Sequence, residues 1–270
     1  MVRQATPDDL DAIVALTAAS RRRLAAWAPV WWRPAPAADE LHPLWLARLI
    51  ESEGPVVRVA TDGDGVVGCA VSMPQPQQWF VDDVAMADDD YWSDAGVELL
   101  EAITERPALT CVPTAHLARR ATSLAAGLHH ASSYWIRATT SGTSGVPPPL
   151  EPGTAIPPAA PHTFGGELDP WTDGALTFGD DDGGLVVGSP PVFAPPVYDA
   201  AGPVCVVDRV VGHAVPLLER ALAASGARGD VLLAVVANVS DRPLRSALQD
   251  LDFVRTVDVF TWPPVRTMRS

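Results

Sequence analysis

Apolar residues along this chain follow two patterns, a spacing of three to four residues that is typical of amphipathic helices and short apolar runs that are typical of strands. The helical spacing predicts helices over about 6–27, 39–53, 94–103, 114–126, 213–225 and 242–251. The apolar runs predict strands over about 2–5, 56–61, 65–73, 80–87, 108–112, 132–137, 174–178, 184–187, 204–207, 230–237 and 253–260. Helices and strands are interspersed along both halves, which predicts an α/β (α+β) fold with a mixed, mostly antiparallel central sheet flanked by helices.

The stretch from Trp79 to Leu100 organises the first half, because it passes from an apolar strand through an acidic turn into a helix. The strand carries Asp82 and Asp83, and alternation along a strand places these two side chains on opposite faces. The turn is crowded with carboxylates, namely Asp88, Asp89, Asp90 and Asp94. A helix N-terminus offers unpaired backbone N–H groups and a positive dipole end, which suit a phosphate. The junction is therefore a predicted ligand site, although its carboxylates disfavour an anion unless they point away.

Several boundaries carry clear capping and turn signals. Thr6, Pro7 and Asp9 supply an N-cap, a proline at the first helical position and an acid at the third. Gly127 followed by Leu128 predicts the end of a helix with its apolar contact. The sequence Asp62-Gly63-Asp64-Gly65 predicts a hairpin turn between two strands. These signals fix the order of elements in the first half.

A segment rich in Pro, Gly, Ser and Thr separates the two halves. Its composition predicts a connector over residues 139–170 between domains at 1–138 and 171–270. Alternatively, the segment wraps over the first half through Ile156 and Phe164. Both interpretations place the second group of elements after residue 170.

The second half repeats the element order of the first half without its opening strand and two helices. The segment GVELLEAI corresponds to AVPLLERAL, and SLAAGLHHASSYWI corresponds to SALQDLDFVRTVDVF. Matching positions of this kind predict an internal duplication with a truncated second copy.

Charge and composition narrow the function classes. The chain has 270 residues, a formal net charge of −14 and a pI near 4.7, which argue against nucleic acid or an anionic membrane as the main partner. The triplet Arg21–Arg23 is predicted to be a solvated surface. Neither a membrane-spanning run nor a signal peptide is evident, so a cytoplasmic location is expected, with the three cysteines as buried free thiols.

The first half, with its RQATPDDLDAIVAL opening, charged hairpin, strand-to-helix junction and strand-helix-Gly-Leu-strand ending, resembles the GNAT superfamily of N-acetyltransferases. The resemblance covers residues 2–137 and, in truncated form, about 171–262. It implies two GNAT-like units and acetyl-CoA as co-substrate.

In that family the junction carries R/Q-x-x-G-x-G/A, whose amides hold the pyrophosphate of acetyl-CoA. Aligned on Leu99-Leu100, the first half retains only Gly96 of this motif, so the resemblance assigns the cofactor to the amides of Ala95, Gly96 and Val97. Aligned on Leu217-Leu218, the second half satisfies the motif at every position. It offers Arg209, Gly212, His213 and Ala214. Alternatively, Arg209 ends a strand and pairs with a carboxylate while Gly212 only turns the chain.

The resemblance also implies catalytic groups. The family commonly uses a Tyr on its last helix as acid, but the aligned residues are Ser123 and Leu248. Tyr134 and Tyr198 lie close in sequence to predicted sheet ends, and Tyr134 is taken as the candidate acid. Asp82 or Asp83 is the candidate general base, and the alternative is a carboxylate that caps a helix or pairs with an arginine. His116, His129 and His130 lack partners at metal-ligand spacing, so no metal site is expected.

These expectations combine into an acetyl-CoA-dependent N-acetyltransferase that acts on a small amine. The alternative is a catalytically silent GNAT-like protein that binds a small molecule or a partner chain. The Trp31-Trp32 pair fits a substrate wall equally well as the edge of a core or a homodimer contact.

Overall fold

The structure is a computed structural model that describes residues 1–27, 32–63, 65–75, 78–103, 106–140, 168–192 and 202–262, together with residues 150, 154 and 156. The chain divides into two compact units. Among the described residues, the first comprises those within 1–131 and 258–262, and the second comprises those within 132–192 and 202–257. No helix among the described residues combines the length and apolar composition that a membrane span requires.

The first copy of the repeat begins with three elements that the second copy lacks. They are β1 (Val2–Gln4), α1 (Leu10–Trp27) and α2 (Ala38–Glu51). The elements that follow are β2 (Val56–Asp62), β3 (Gly65–Pro74), β4 (Trp79–Met86), α3 (Ala95–Ile103), β5 (Ala108–Pro113), α4 (Leu117–Ala125) and β6 (His129–Ala138). A short 3-10 helix precedes α1 at Pro7–Asp9, and another precedes α3 at Asp89–Trp92.

The second copy contains β7 (Leu176–Gly179), β8 (Leu185–Gly188), β9 (Val204–Val211), α5 (Ala214–Arg228), β10 (Leu232–Asn238), α6 (Arg242–Asp250) and β11 (Val254–Trp262). This order matches that of β2 to β6 with the same helices between the strands. Every predicted helix and strand is present, with boundaries shifted by a few residues.

Strand pairing repeats in the same way. In the first unit, β2, β3 and β4 pair antiparallel in succession, and β4 then pairs parallel with β5. In the second unit, β7, β8 and β9 pair antiparallel, and β9 pairs parallel with β10. The predicted duplication is therefore confirmed in element order and pairing, and the mixed, mostly antiparallel α/β class is confirmed as well.

Each unit contains part of the last strand of the other copy. Residues 132–138 of β6 belong to the second unit, where they pair antiparallel with β10. Residues 258–262 of β11 belong to the first unit. No local pattern in the sequence indicates this exchange, because either strand has the same apolar run.

The sheet of the first unit is covered on both faces. Helices α1 and α2 bury one face in a core that includes Ile13, Leu16, Leu46, Val59, Cys69 and Ala85. Helices α3 and α4 cover the other face in a core that includes Ala70, Val84, Leu99, Leu100 and Leu128. In the second unit, α5 and α6 pack on a core that includes Phe178, Val207, Leu217, Val235 and Leu248.

The predicted capping signals form as expected. Thr6 and Asp9 form a capping box with Pro7 in the first turn, and Arg3 adds two 2.7 Å hydrogen bonds to the Asp9 carboxylate. Gly127 has φ +79° at the end of α4, and the Leu128 N–H donates to the Ser123 carbonyl at 2.9 Å. These contacts fix where α1 starts and where α4 ends.

The described ends of the connector contact the second unit. The Leu168 N–H donates to Asp208 at 3.1 Å, and a Leu150 methyl lies 3.0 Å from where a Cβ on Gly179 would stand. The alternative in which the connector wraps over the first half stays a prediction, because these contacts do not involve Ile156, and Phe164 lies outside the described residues.

Candidate functional site

Asp82 and Asp83 lie on a β-bulge in β4. Ala70 of β3 is opposite Val84 and Ser72 is opposite Val81, so two residues of β4 face Val71 alone. A bulge bends its strand and interrupts the ladder locally. The two carboxylates therefore stand where the regular hydrogen bonding of the sheet is broken.

The parallel pair β4/β5 ends at the same place. Its register runs from Trp79 opposite Ala108 to Val81 opposite Thr110, so the last pair comes immediately before Asp82. The pair β9/β10 ends likewise at Val207 opposite Val235, immediately before Asp208. In each unit a carboxylate marks the end of parallel pairing, which is where a ligand can reach backbone groups of the sheet.

Asp83 is held by helix α2. Its Oδ2 lies 2.9 Å from His42 Nε2, and the His42 side chain is only 3% exposed. His42 Nδ1 lies 2.5 Å from Arg21 Nη1 on α1, and Arg21 Nη2 donates to Asp39 at 3.0 Å. Because Arg21 is 3% exposed, the prediction that the whole Arg21–Arg23 triplet is solvated was wrong for this residue.

Asp82 has a different electrostatic environment. Burial, reinforced by the negative charge of Asp83, raises the pKa of Asp82 to about 7, and the positive charge of Arg119 on α4 opposes that rise. Arg119 is buried and donates to Thr110 Oγ1 at 3.0 Å, and Thr110 donates in turn to the Val81 carbonyl. Asp82 is therefore a carboxyl group that exchanges its proton near neutral pH.

The amides assigned to the cofactor in the first unit lie in the first turn of α3. Ala95 is its first residue, and Asp94 accepts from the Glu98 N–H through its carbonyl at 3.0 Å. A Cβ on Gly96 would lie 3.1 Å from Thr122 Cγ2 and 3.1 Å from Trp92 Cε3. The glycine therefore allows α3 to approach α4 closely. Val97 follows in the same turn and is half-buried.

The amides assigned in the second unit border a cavity of about 360 Å³ between the N-terminal end of α5 and one side of α6. Gly212, His213 and Ala214 line it, together with Asp241, which is the N-cap of α6, and Ser246 within α6. Gly212 has φ +96°, and a Cβ there would lie 2.9 Å from Gly184 Cα, so the turn into α5 requires glycine. Pro216 in the first turn of α5 has no N–H to offer.

Arg209 lies in β9, where it is buried away from the lining of this cavity. Its Nε is 3.1 Å from Asp208 Oδ1, and its Nη2 donates to the Leu168 carbonyl at 2.5 Å. This geometry corresponds to the alternative in which Arg209 pairs with a carboxylate.

Tyr134 lies on β6 in the second unit, opposite Val236 of β10, and is 3% exposed. Asp82 and Asp83 belong to the first unit, so Tyr134 is not in the same compact unit as the two carboxylates. Of the tryptophan pair, Trp32 is described and Trp31 lies outside the described residues. Among the residues that the structure describes, no group of His, Cys, Asp and Glu could hold a metal ion.

His42 and Arg119 were not among the site residues predicted from the sequence, and Arg21 was predicted to be solvated. A signal was present for His42, because Ala38, His42, Leu46 and Leu49 share the buried face of α2 at helical spacing. Arg21 likewise follows Ile13 and Thr17 on the buried face of α1. A polar residue on an apolar helix face predicts a buried polar contact, although the spacing does not name the partner.

Comparison with solved structures finds several similar proteins. Two are putative acetyltransferases. The one from Thermoplasma acidophilum is 11% identical to this chain, with a TM-score of 0.54, and the match covers 97% of this chain and 99% of the other. The one from Pyrococcus horikoshii is also 11% identical, with a TM-score of 0.46, and the match covers 97% of this chain and 88% of the other. A tandem GNAT protein from the clavulanic acid biosynthesis pathway is 14% identical with a TM-score of 0.43 over 97% of each chain.

The Thermoplasma structure shows that this chain shares the fold of that protein along nearly its whole length. The predicted mixed α/β fold is thereby confirmed for both halves of the chain. No protein-family profile matches the sequence, and no curated protein sequence matches it either.

Proposed function

We propose that this chain is an acetyl-CoA-dependent N-acyltransferase that transfers the acyl group to a small amine in its first unit. The observation that carries the proposal is Asp82, a carboxyl group with a pKa of about 7 on a bulge where β4 and β5 cease to pair. A general base works best when its pKa lies near the operating pH. Asp82 would accept a proton from the acceptor ammonium, and the free amine would attack the thioester carbonyl and release the thiolate.

The acidic turn between β4 and α3 supports an amine acceptor. Asp88, Asp89, Asp90 and Asp94 are exposed there. Their negative charge attracts cations to this part of the first unit, and small amines are cations at neutral pH. The features that disfavour a phosphate at this turn therefore favour the proposed acceptor.

The residues of the first unit fit the thioester end of acetyl-CoA better than its phosphates. The parallel register of β4 and β5 ends immediately before Asp82, which would leave backbone groups there for the thioester, and the first-turn amides of Ala95, Gly96 and Val97 could donate to the diphosphate. Against tight binding, Gly96 faces Thr122 and Trp92, and the cation of Arg23 nearby is already bound to the Met86 carbonyl and Asp89. We therefore expect a KM for acetyl-CoA of about 1 mM, at the upper end of the usual range.

The experiment measures thiol release from acetyl-CoA with a panel of small amines. Asp82→Asn should lower kcat roughly a hundredfold, because a positioned base typically contributes that factor or more. Asp181→Asn, an exposed carboxylate in the second unit, is the matched control and should leave kcat unchanged. Equal rates for the two variants would refute the assignment of Asp82.

A second pair of variants identifies the unit that holds the cofactor. Ala95→Glu adds a negative charge at the first turn of α3, and Ser246→Glu adds one to the cavity at α5. We expect the KM for acetyl-CoA to rise in Ala95→Glu alone. A rise in Ser246→Glu alone would move the cofactor site, including Gly212, His213 and Ala214, to the second unit.

The second candidate function is a catalytically silent protein that binds a small molecule or a partner. One observation favours it, since Asp208 and Arg209 in the second unit already bind the Leu168 backbone. Calorimetry with acetyl-CoA at millimolar concentration decides between the two. Absence of heat, thermal shift and thiol release would leave the silent protein as the function.

A further inference from the structure

Two buried polar side chains and a partly buried carboxylate stand in a line from α1 through α2 to β4. Arg21, His42 and Asp83 are joined by contacts of 2.5 Å and 2.9 Å, and Arg21 and His42 are each 3% exposed. Buried polar groups destabilise a core unless they are hydrogen-bonded to one another. A hydrogen-bonded line of this kind within the apolar interface of α1 and α2 therefore points to a role beyond packing.

The chemistry of the line fixes the proton positions. An arginine side chain has N–H donors and no acceptor, so His42 Nδ1 must carry its lone pair toward Arg21. The ring proton is then on Nε2, and it is donated to Asp83. A second proton on Nδ1 would place two donors 2.5 Å apart, so this geometry admits only the neutral Nε2–H tautomer.

We propose that His42 is a positioning residue that orients Asp83 as an ionised carboxylate, so that Asp82 is the member of the pair that exchanges a proton with the acceptor amine. The assignment rests on the proposed acyl transfer for its kinetic consequence. The hydrogen-bonded arrangement itself does not depend on catalysis.

Other charged and titratable groups surround the two carboxyls on every side. Arg21 comes from α1, His42 and Asp39 from α2, Cys69 from β3, Cys111 from β5 and Arg119 from α4. Burial raises the pKa of both thiols, that of Cys111 to about 12, so neither ionises near pH 7. The changes expected between pH 5 and 9 therefore belong to the carboxyl pair.

The first test needs no catalysis. Ring ¹⁵N spectra of the full chain at pH 7 should show the Nε2–H tautomer for His42, assigned by its disappearance in His42→Gln. Carboxyl ¹³C spectra should follow the last ionisation of the pair, assigned with Asp82→Asn. An Nδ1–H or doubly protonated His42 would overturn the proposal whether or not the protein transfers acyl groups.

The second test shifts the ionisation of the pair in two directions. In His42→Phe the Asp83 carboxylate loses its hydrogen-bond donor, so the two carboxyl groups share the last proton more tightly. The pH midpoint of the last ionisation of the pair should therefore rise by about one pH unit. In Asp83→Asn the negative charge that raises the pKa of Asp82 is gone, so the midpoint should fall. His42→Gln retains an N–H donor and should restore the wild-type midpoint.

In the active protein the acid limb of kcat/KM should move by the same amounts, and His129→Gln, an exposed histidine of the first unit, should move nothing. A merely structural role for His42 would lower stability and leave both midpoints in place, which would overturn the proposal. If no acyl transfer is detected, the proposed function fails while the spectra still decide the role of His42.

Discussion

Asp82 and Asp208 occupy the same position in the two copies of the repeat. Each follows the valine at which parallel pairing ends, and each lies on a register shift against the preceding strand. The sequences around them, FVDDVA and VVDRVV, align without a gap. The residue after the aspartate is Asp83 in the first copy and Arg209 in the second, so this single position distinguishes a carboxylate pair from an ion pair.

The ion pair of the second copy is expected to be structural. Asp208 and Arg209 are 3% and 6% exposed, and removing one partner leaves a buried charge. Arg209→Met should lower the free energy of unfolding by roughly 3 to 5 kcal/mol, and Asp208→Asn combined with Arg209→Met should cost less than the sum of the single changes. Urea denaturation of the four proteins measures this coupling.

Arg209 was assigned to the cofactor by its position in the family motif, and the same variants test that role. A phosphate ligand would raise the KM for acetyl-CoA in Arg209→Met without a loss of stability. A large loss of stability with an unchanged KM is the outcome that the buried contact to Asp208 predicts.

Asp82 should make the protein less stable as the pH rises. Its pKa is raised from 3.8 to about 7 in the folded state, so the folded state holds the proton more tightly than the unfolded state between these values. The associated stability is present below pH 4 and is lost as the pH rises to 7. The wild type should therefore lose roughly 2 to 4 kcal/mol of unfolding free energy between pH 4 and pH 8 that Asp82→Asn, which lacks the carboxyl group, does not lose.

Urea denaturation at both pH values measures this difference, and groups common to both proteins cancel. Asp181→Asn should show no such difference from wild type, because its carboxylate is exposed. A parallel pH dependence in Asp82→Asn and wild type would show that Asp82 ionises as an ordinary aspartate.

The sequence predicted element order well because that order depends on local spacing. It could not locate the bulge in β4, since a register shift depends on how Ala70 and Ser72 of another strand pair with Val84 and Val81. The exchange of β6 and β11 between the units is likewise a matter of partner choice. Asp82 and Asp83 could be predicted from their place in an apolar strand. His42 and Arg119 could not be assigned to the site without knowing which helices cover that strand.

His116 should make the protein less stable as the pH falls, which is the opposite of the pH dependence expected from Asp82. It is buried between Trp27 and Trp92, and burial, together with the charges of Arg119 and Arg23, lowers the pKa of His116 from 6.5 to about 3. The folded state thus disfavours the proton, and stability present above pH 6.5 is lost as the pH falls toward 3. His116→Phe, which keeps an aromatic ring, should retain about 2 kcal/mol that wild type loses between pH 7.5 and pH 5.

The measurement is urea denaturation at these two pH values. His129→Gln is the control, because His129 is exposed and should leave the wild-type dependence unchanged. If His116→Phe lost as much stability as wild type on acidification, the ring of His116 would have to be accessible to protons in the folded state.

Gly96 is expected to be constrained by α4. Alanine stabilises a helix interior by roughly 1 kcal/mol relative to glycine, but a Cβ here would lie 3.1 Å from Thr122 Cγ2. Thr122 cannot turn away freely, because its hydroxyl donates to the Trp92 carbonyl at 2.8 Å. Gly96→Ala should therefore destabilise the protein by about 1 to 3 kcal/mol, as overpacked cores do. Thr122→Ser keeps the hydroxyl and removes one of the two closest obstructions, so Gly96→Ala in that background should cost less, with Trp92 Cε3 still 3.1 Å from the added Cβ. Thermal denaturation of the single and double variants measures the coupling, and an equal cost of Gly96→Ala in both backgrounds would mean that Thr122 is not what makes glycine necessary.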